Sequence, residues 1–336
     1  MKKIIAPALL GLLLVGSCNT LDVPDLNNPG LEGLRDNPTR GGVLAAATGL
    51  LIGTRVGLAP FNGLVSELGV FGRESYNFDP GDPRFVSELE IGPLDGGSPR
   101  HGGNLWAAPY ANIRNANILV AATAKVVGVT AQEKEAILGF AQTIQAVDFL
   151  NVINTRDANG APIAVDADPA AGPAPIATKP DVFAHIVNLL DSAATHLRAG
   201  GGGFPFPLSS GFTGFSSPPT FLKFNRALRA RVAVYLGDFA GALALLGGGG
   251  NPDSTFVDTT AAAVDTLGLG GTLRTGVYNA YSTGSGDQTN GLFDPIEKSL
   301  FAHPSLETDA QLRVGGARGR RFTQKLRQLT VTNPKT

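Results

Sequence analysis

The sequence predicts a mainly α-helical protein, built from helical hairpins joined by long irregular loops, with little β-structure. Three observations carry that expectation. Several segments repeat apolar residues at the three-and-four spacing of one helical face. Glycine (44 residues) and proline (23) are both abundant, which favours irregular connections over regular sheet. One stretch, Pro218 to Pro252, reads as two helices folded back on each other.

In that stretch Phe221, Phe224, Leu228, Val232 and Tyr235 fall on one face, and Thr220 is placed to cap the first turn. Ala227, Ala230 and Ala233 form a small-residue line along which another helix can come close. Gly237 permits a turn and Asp238 can cap a second helix starting at Phe239. That helix (Phe239, Ala242, Leu243, Leu246) carries no charge, so burial is expected. Gly247 to Gly250 and Pro252 end it. The order alanine, tyrosine, Gly-Asp, aromatic, alanine resembles half of a tetratricopeptide unit; an ordinary αα-hairpin would read the same way.

At 336 residues, 43% hydrophobic and 16% charged, the chain can fill one large core or two small ones. Lys plus Arg total 27 against 28 Asp plus Glu, so nothing points to a general nucleic-acid or membrane-surface binder. Cys18 is the sole cysteine, which excludes an internal disulfide or a cysteine-based zinc site.

The N-terminus is an export signal. Met1-Lys2-Lys3 is a short positive region, and Ile4 to Val15 is apolar but too short to span a bilayer. Val15-Gly16-Ser17-Cys18 looks like a bacterial lipobox, which makes residues 1–17 the signal peptide and Cys18 the lipidated first residue. Several acyl chains on one residue anchor stably, because each buried methylene contributes about 0.8 kcal/mol. Asn19 at the next position, by resemblance to sorted lipoproteins, favours the outer membrane. Residues 18–37 read as a polar tether.

A single domain is expected over 38–336. Asn37 with Pro38 can open a helix through the apolar run Val43 to Ile52, stopped by Pro60 and followed by a shorter apolar segment (Phe61, Leu64, Val65, Leu68). Phe71 to Gly103 is loop-like, and loops of that length are usually functional. Trp106, Tyr110, Ile113, Asn117 and Val120 mark the next helical face, with Pro109 in or near its first turn. Trp106 and Tyr110 sit in register with the apolar stripe and read as core, with a sugar-stacking platform as the alternative. Asn117 is expected to tie the helix to the backbone of a neighbouring loop, since a buried amide needs partners. Thr130 to Glu133 is a capping box opening a helix to about Asn154. Asp157 to Gly160 lacks the further ligands of a calcium loop and reads as a turn. Asp166 and Asp168 read as solvated. A helix from about Pro180 to Leu197 precedes a loop carrying Phe204, Phe206, Phe212 and Phe215.

The order of these features is similar to one family. A lipobox, Leu21-Asp22-Val23-Pro24, Trp106-x-x-x-Tyr110-x-x-Ile113-x-x-Ala116-Asn117 and a capped helix followed by Gly160-Ala161-Pro162-Ile163 come first. Asn225-x-Ala227-Leu228-x-Ala230-Arg231-x-x-x-Tyr235-x-Gly237-Asp238 completes the series. Together, over about Cys18 to Leu246, they resemble the SusD/RagB family of nutrient-uptake lipoproteins. The resemblance implies tetratricopeptide-like helix pairs supporting a loop-rich ligand face. It also implies a lipid-anchored position at the outer-membrane surface, over a TonB-dependent transporter that receives a glycan, oligosaccharide or peptide.

Ligand contacts are then expected in the loops, from Phe71, Tyr76 and Asn77 and from Phe204, Phe206, Phe212 and Phe215. Residues Val277 to Gln288, with Tyr278 and Tyr281, read either as part of that face or as an exposed connection. Arg313, Arg318, Arg320, Arg321, Lys325, Arg327 and Lys335 read as a solvated or acid-paired strip. Members of the family usually continue into a further Ala- and Glu-rich helical segment, which is not present before Thr336.

No nucleophile elbow, phosphate loop or His-Glu-x-x-His motif is present, and the four histidines are scattered. A non-enzymatic capture protein, without cofactor or metal, is therefore expected. A helical-repeat scaffold lipoprotein is the alternative, and a glycoside hydrolase with carboxylates distant in sequence is a further one.

Overall fold

A computed structural model describes residues 31–60, 62–78, 81–95, 101, 104–166, 170, 172–246, 276–284, 286–292, 299–312, 314–319, 322, 323 and 326. Cys18, the lipobox and Gly247 to Gly250 lie outside them, as does the basic strip apart from Arg318. The described chain is mainly helical. Its α-helices are α1 Leu31–Asp36, α2 Arg40–Gly53, α3 Leu64–Phe71, α4 Asn104–Lys125, α5 Ala131–Arg156, α6 Lys179–Ala199, α7 Pro218–Tyr235, α8 Phe239–Leu245 and α9 Ser305–Thr308. Four short strands form two antiparallel pairs: β1 Ser75–Asn77 with β4 Leu300–Ala302, and β2 Ala161–Pro162 with β3 Ile176–Ala177.

The centre is a stack in which α4, α5, α6, α7 and α8 each pack on the next in sequence. The turn between α4 and α5 is short, so the two run antiparallel. Thr130 closes the capping box foreseen at the start of α5, accepting from Glu133 N while Glu133 accepts from Thr130 N. Arg40, at the head of α2, grips the same Glu133 through both guanidinium nitrogens at 2.6 and 2.9 Å. That pairing, with the Thr130 amide, holds the Glu133 carboxyl at about 2.

By length and apolarity α5 could cross a membrane, but 78% of its apolar window is buried inside the fold. It is a core helix. Ile137, Phe140 and Ile144 enter one apolar cluster with Leu197, Phe221 and residues of α2 and α4; Phe149, Leu150 and Ile153 enter a second with Ile186, Leu190 and Val232. A Cβ on Gly139 would stand 2.6 Å from Leu197 Cγ and 2.9 Å from the Ala193 carbonyl, so the close approach of α5 to α6 needs glycine there.

A polar knot fixes the register of the stack. Asn225, fully buried on α7, donates to Thr143 Oγ1 of α5 (2.9 Å) and to the Leu190 carbonyl of α6 (3.2 Å). Arg226 donates to Asn225 Oδ1, to the Leu190 carbonyl and to Asp191. Burial lowers the Arg226 pKa and Asp191 opposes the shift. Buried polar groups are tolerable when so fully partnered, and they then specify one arrangement.

Several boundaries differ from those read in the sequence. Thr39, not Asn37, caps α2, accepting from Gly42 N at 3.1 Å, because α1 already occupies the chain up to Asp36. Residues 31–36, inside the stretch expected as tether, are therefore helical. α4 begins at Asn104, which moves Pro109 into its second turn. Asn117 accepts from the Gln145 side chain of α5 at 2.6 Å rather than bonding a loop backbone. The amide that does reach backbone is Asn112, which donates to the Leu50 carbonyl at 3.1 Å. α7 starts at Pro218 with Ser217 as its cap, so Thr220 reaches back to Ser217 N instead of capping.

The α7–α8 hairpin forms with Asp238 capping α8 and Gly237 at a φ of +75°. Ala230 and Ala233 of α7 receive Ala242 of α8, as the small-residue line suggested. The rest of α8 is not buried: Phe239 is 68% exposed and Leu243 55%. In this two-turn helix only Ala242 is buried against α7, with Leu245 packed beside it, and the opposite face stays exposed.

A smaller layer is built from α3, β1, β4 and a π-helical segment Phe85–Glu90, around Val70, Phe85, Leu89 and Leu300. β1 and the π-helical segment lie in the stretch expected as loop. α3 turns Ser66, Glu67 and Val70 inward and leaves Val65, Leu68 and Phe71 exposed. Glu90 of the π-helix meets His303, beyond β4, at 3.0 Å.

Candidate functional site

A cleft of about 600 Å³ is lined by Tyr278, Asn279, Ala280, Tyr281, Ser282, Thr283, Thr289 and Asn290. That volume falls in the range of small-ligand sites. Local chemistry makes the shape of this loop. Asp287 gathers it: its Oδ1 accepts from Gln288 N (2.7 Å) and its Oδ2 from Ser282 Oγ (2.8 Å), while Ser282 N donates to the Gln288 carbonyl (3.1 Å). Leu292 N donates to Asn290 Oδ1, closing the far end.

Two contacts fasten the loop to the helices. Tyr278 N donates to the Gly211 carbonyl at 3.2 Å, and a Cβ on Gly211 would lie 1.9 Å from the Tyr278 carbonyl oxygen, so only glycine admits the loop here. Arg55, just past α2 and 5% exposed, donates Nε to the Leu51 carbonyl (2.9 Å) and Nη2 to Asp287 Oδ1 (2.6 Å). Its guanidinium carbon lies 5.6 Å from the centre of the Tyr281 ring. The Asp287 carboxyl is lowered by the Gln288 amide first, then by Ser282 and Arg55; burial raises the Tyr281 phenol against the opposing charge of Arg55.

The cleft sets an aromatic face among hydroxyls and amides. Tyr278 is 48% exposed, and two amides, three aliphatic hydroxyls and two phenols supply donors and acceptors. No carboxylate is among the lining residues, so the cleft has no acid–base pair of the kind glycoside hydrolysis uses. Among the described residues no group of three or more His, Cys, Asp or Glu could hold a metal.

The expected site residues separate. Phe206, Phe212 and Phe215 are buried in the first apolar cluster and Phe204 packs on it, with Phe212 stacked on Phe221 at 5.7 Å. They are core, which corrects their assignment as ligand contacts: the loop joins two helices packed on each other, and its rings fill the space between. Phe71 is exposed on α3. Tyr76 and Asn77 line a shallow groove of about 430 Å³ with Phe78, Pro83, Val86, Ser87 and Ile91. The Tyr76 and Phe78 rings meet there at 4.6 Å, while the Asn77 side chain is buried. Trp106 and Tyr110 pack against the second cluster, with Arg156 over the Trp106 ring and the Tyr110 hydroxyl donating to the Pro162 carbonyl at 2.7 Å.

One further cavity lies beside Asp148, among Gly53, Thr54, Leu64, Ala108 and Pro109; at about 20 Å³ it has room for a single water. Asp148 accepts from Thr54 Oγ1 at 2.5 Å and from Asn112 Nδ2 at 2.7 Å, and burial raises its pKa to about 7. No local motif marks this acid as buried; it sits in a helix between Val147 and Phe149.

No family model matches the sequence, and no curated protein matches it. Among solved structures it is similar to a laminarin-binding SusD-like protein (17% identity, TM-score 0.48, covering 62% of this chain and 42% of the other). It is also similar to a SusD-like protein from Bacteroides fragilis (14% identity, TM-score 0.43, 66% and 39%). The chain spans less than half the length of either.

Proposed function

We propose that the protein is a non-enzymatic receptor that binds a glycan or oligosaccharide in the Tyr278–Tyr281 cleft and passes it to a TonB-dependent outer-membrane transporter. The observation that carries the reading is the cleft itself: an exposed tyrosine ring beside amides and hydroxyls, on a loop fastened to a rigid helical stack. Sugars present flat apolar faces and dense hydroxyls, and this combination meets both. The motif order resembling SusD/RagB proteins supports the same role. It supports lipidation at Cys18 and a place at the outer-membrane surface. The Tyr76 groove, with Phe71 on the neighbouring helix, is a second surface where a long glycan would rest.

The test is a binding survey of the full chain against neutral and acidic oligosaccharides and peptides, with product analysis after long incubation. Binding without cleavage, weakened by Tyr278→Ser, is the expected result. Cleavage would favour a hydrolase, and recovery of protein partners with no ligand bound would favour a scaffold lipoprotein. Cys18→Ala should move the protein from the membrane fraction to the soluble fraction.

A further inference from the structure

We infer that the face formed by the end of α7 and the outer side of α8 is a self-association surface, and that its occupant is a second copy of this chain. The inference goes beyond the receptor reading and does not depend on it. α8 is the last helix of the stack, and among the described elements its packing is on α7, through Ala230, Ala233 and Ala242. A stack of helical hairpins ends well in water only when its outer face is polar. This one ends in Val234, Tyr235, Leu236, Phe239 and Leu243, each between 45% and 68% exposed.

These residues form one patch. α7 and α8 run antiparallel, and Val234 follows Ala233 by one position as Leu243 follows Ala242. On antiparallel neighbours, equal rotations away from the contact turn side chains to the same side. Val234 and Leu243 therefore lie together, with Phe239 one turn before Leu243 and with Tyr235 and Leu236 leading into the turn. Half-exposed or more, the five offer on the order of 500 Å² of apolar surface, large for a patch left in water. A standard interface takes about 800 Å² from each partner, a little over half of it apolar, so the patch is the right size for one.

Charge says what covers it. Arg231 and Asp238 flank the patch, and both are exposed. The Arg231 guanidinium lies 5.5 Å from the centre of the Tyr235 ring, and its Nε donates to the Tyr235 hydroxyl at 2.9 Å. Asp238 spends one oxygen on Gly241 N at 2.8 Å. Among the described residues neither has an ion-pair partner. A two-fold axis through Val234 to Leu236 would bring each Arg231 to the Asp238 of the other copy, because an isologous interface pairs residue i with j and j with i. A partner of one charge sign would answer only one of them, whereas a surface with both signs around an apolar centre is complementary to itself.

Sedimentation velocity of the full chain carrying Cys18→Ala, which removes any acyl contribution, should show a monomer–dimer equilibrium between about 1 and 100 μM. Phe239→Glu should raise the dissociation constant about thirtyfold or more, the effect of a central aromatic hot spot. It should leave the circular dichroism spectrum unchanged, since the ring is largely exposed in the monomer. Arg231→Glu should raise the constant about tenfold by setting two acids against each other. Adding Asp238→Asn, which keeps a capping side chain on α8, should return part of that loss. A monomer at all concentrations overturns the inference, and protection of 234–243 from hydrogen exchange in that monomer would assign the face to another part of the chain. A dimer indifferent to Phe239→Glu, or one that Asp238→Asn weakens further on top of Arg231→Glu, overturns it too, because either result places the contact elsewhere.

Discussion

Two irregular segments, 200–217 and 276–292, look alike in sequence, and the fold uses them in opposite ways. Both are rich in glycine, hydroxyl residues and aromatics. The first connects α6 to α7, helices packed on each other, and its Phe206, Phe212 and Phe215 are drawn into the core between them. The second is fastened by Arg55 and by Gly211, and its tyrosines line a cleft. Residue type follows that division. A phenyl ring gains only from burial, whereas a tyrosine can leave its hydroxyl in water and still offer a face. An aromatic loop between two packed helices is therefore drawn into the core, whereas one anchored at a few points keeps its rings at a cleft.

The comparison breaks first at Phe215. Phe215→Ala should cost about 3 to 5 kcal/mol in urea unfolding, the usual loss for a buried aromatic, with ligand affinity of the folded protein unchanged. Lost binding at unchanged stability would return that loop to the ligand site. Next is Asp148, which belongs to the stack alone. Its pKa is raised from 3.8 to about 7 by burial, so the folded chain holds the proton more tightly than the unfolded one. The stability it contributes is full below the lower value and is lost as pH rises through the higher. Unfolding measured at about pH 5 and about pH 8 should differ by on the order of a few kcal/mol from this group, and Asp148→Asn should flatten the difference. The cleft loop is gathered by Asp287, whose carboxyl is held below its ordinary range by the Gln288 amide and Ser282, so binding there should change little.

How much of this was legible depends on whether the cause was local. The helices of the stack were, because periodicity and caps are local: Thr130–Glu133 and Asp238 both act as the sequence suggests. Pairing of α7 with α8 was legible from Ala230 and Ala233. What failed depended on neighbours far along the chain. Nothing local tells Thr39 from Asn37 as a cap, exposes Phe239, or makes a π-helix of Phe85–Glu90, whose partners come from α3 and from residues beyond 299. The cleft was half visible. Tyr278 and Tyr281 among turn residues are a signal, but Arg55 is 232 residues from Asp287, and only the fold joins them.

Gly211 sits where the two segments touch, so it distinguishes them at finer scale. The added methyl of Gly211→Ala would stand 1.9 Å from the Tyr278 carbonyl oxygen, and one of the two backbones must yield. Segment 200–217 is held by buried rings, so the 276–292 loop should be the one displaced. The expected result is a stability loss of about 1 to 3 kcal/mol together with weakened ligand binding. A stability loss with binding intact would mean that the cleft does not depend on this anchor.

The smallest effect on the fold, and the sharpest test of the division, comes from the exposed ring. Tyr278→Ala touches no buried contact of the stack, so unfolding should shift by less than about 0.5 kcal/mol. Binding should nonetheless fall by about tenfold, the worth of one stacked aromatic face. Tyr278→Phe separates the two things a tyrosine supplies. If the ring face carries the contact, phenylalanine should restore most of the affinity; if the hydroxyl does, phenylalanine should bind as poorly as alanine. The half-exposed ring, standing clear of the core with its backbone pinned to Gly211, favours the first outcome.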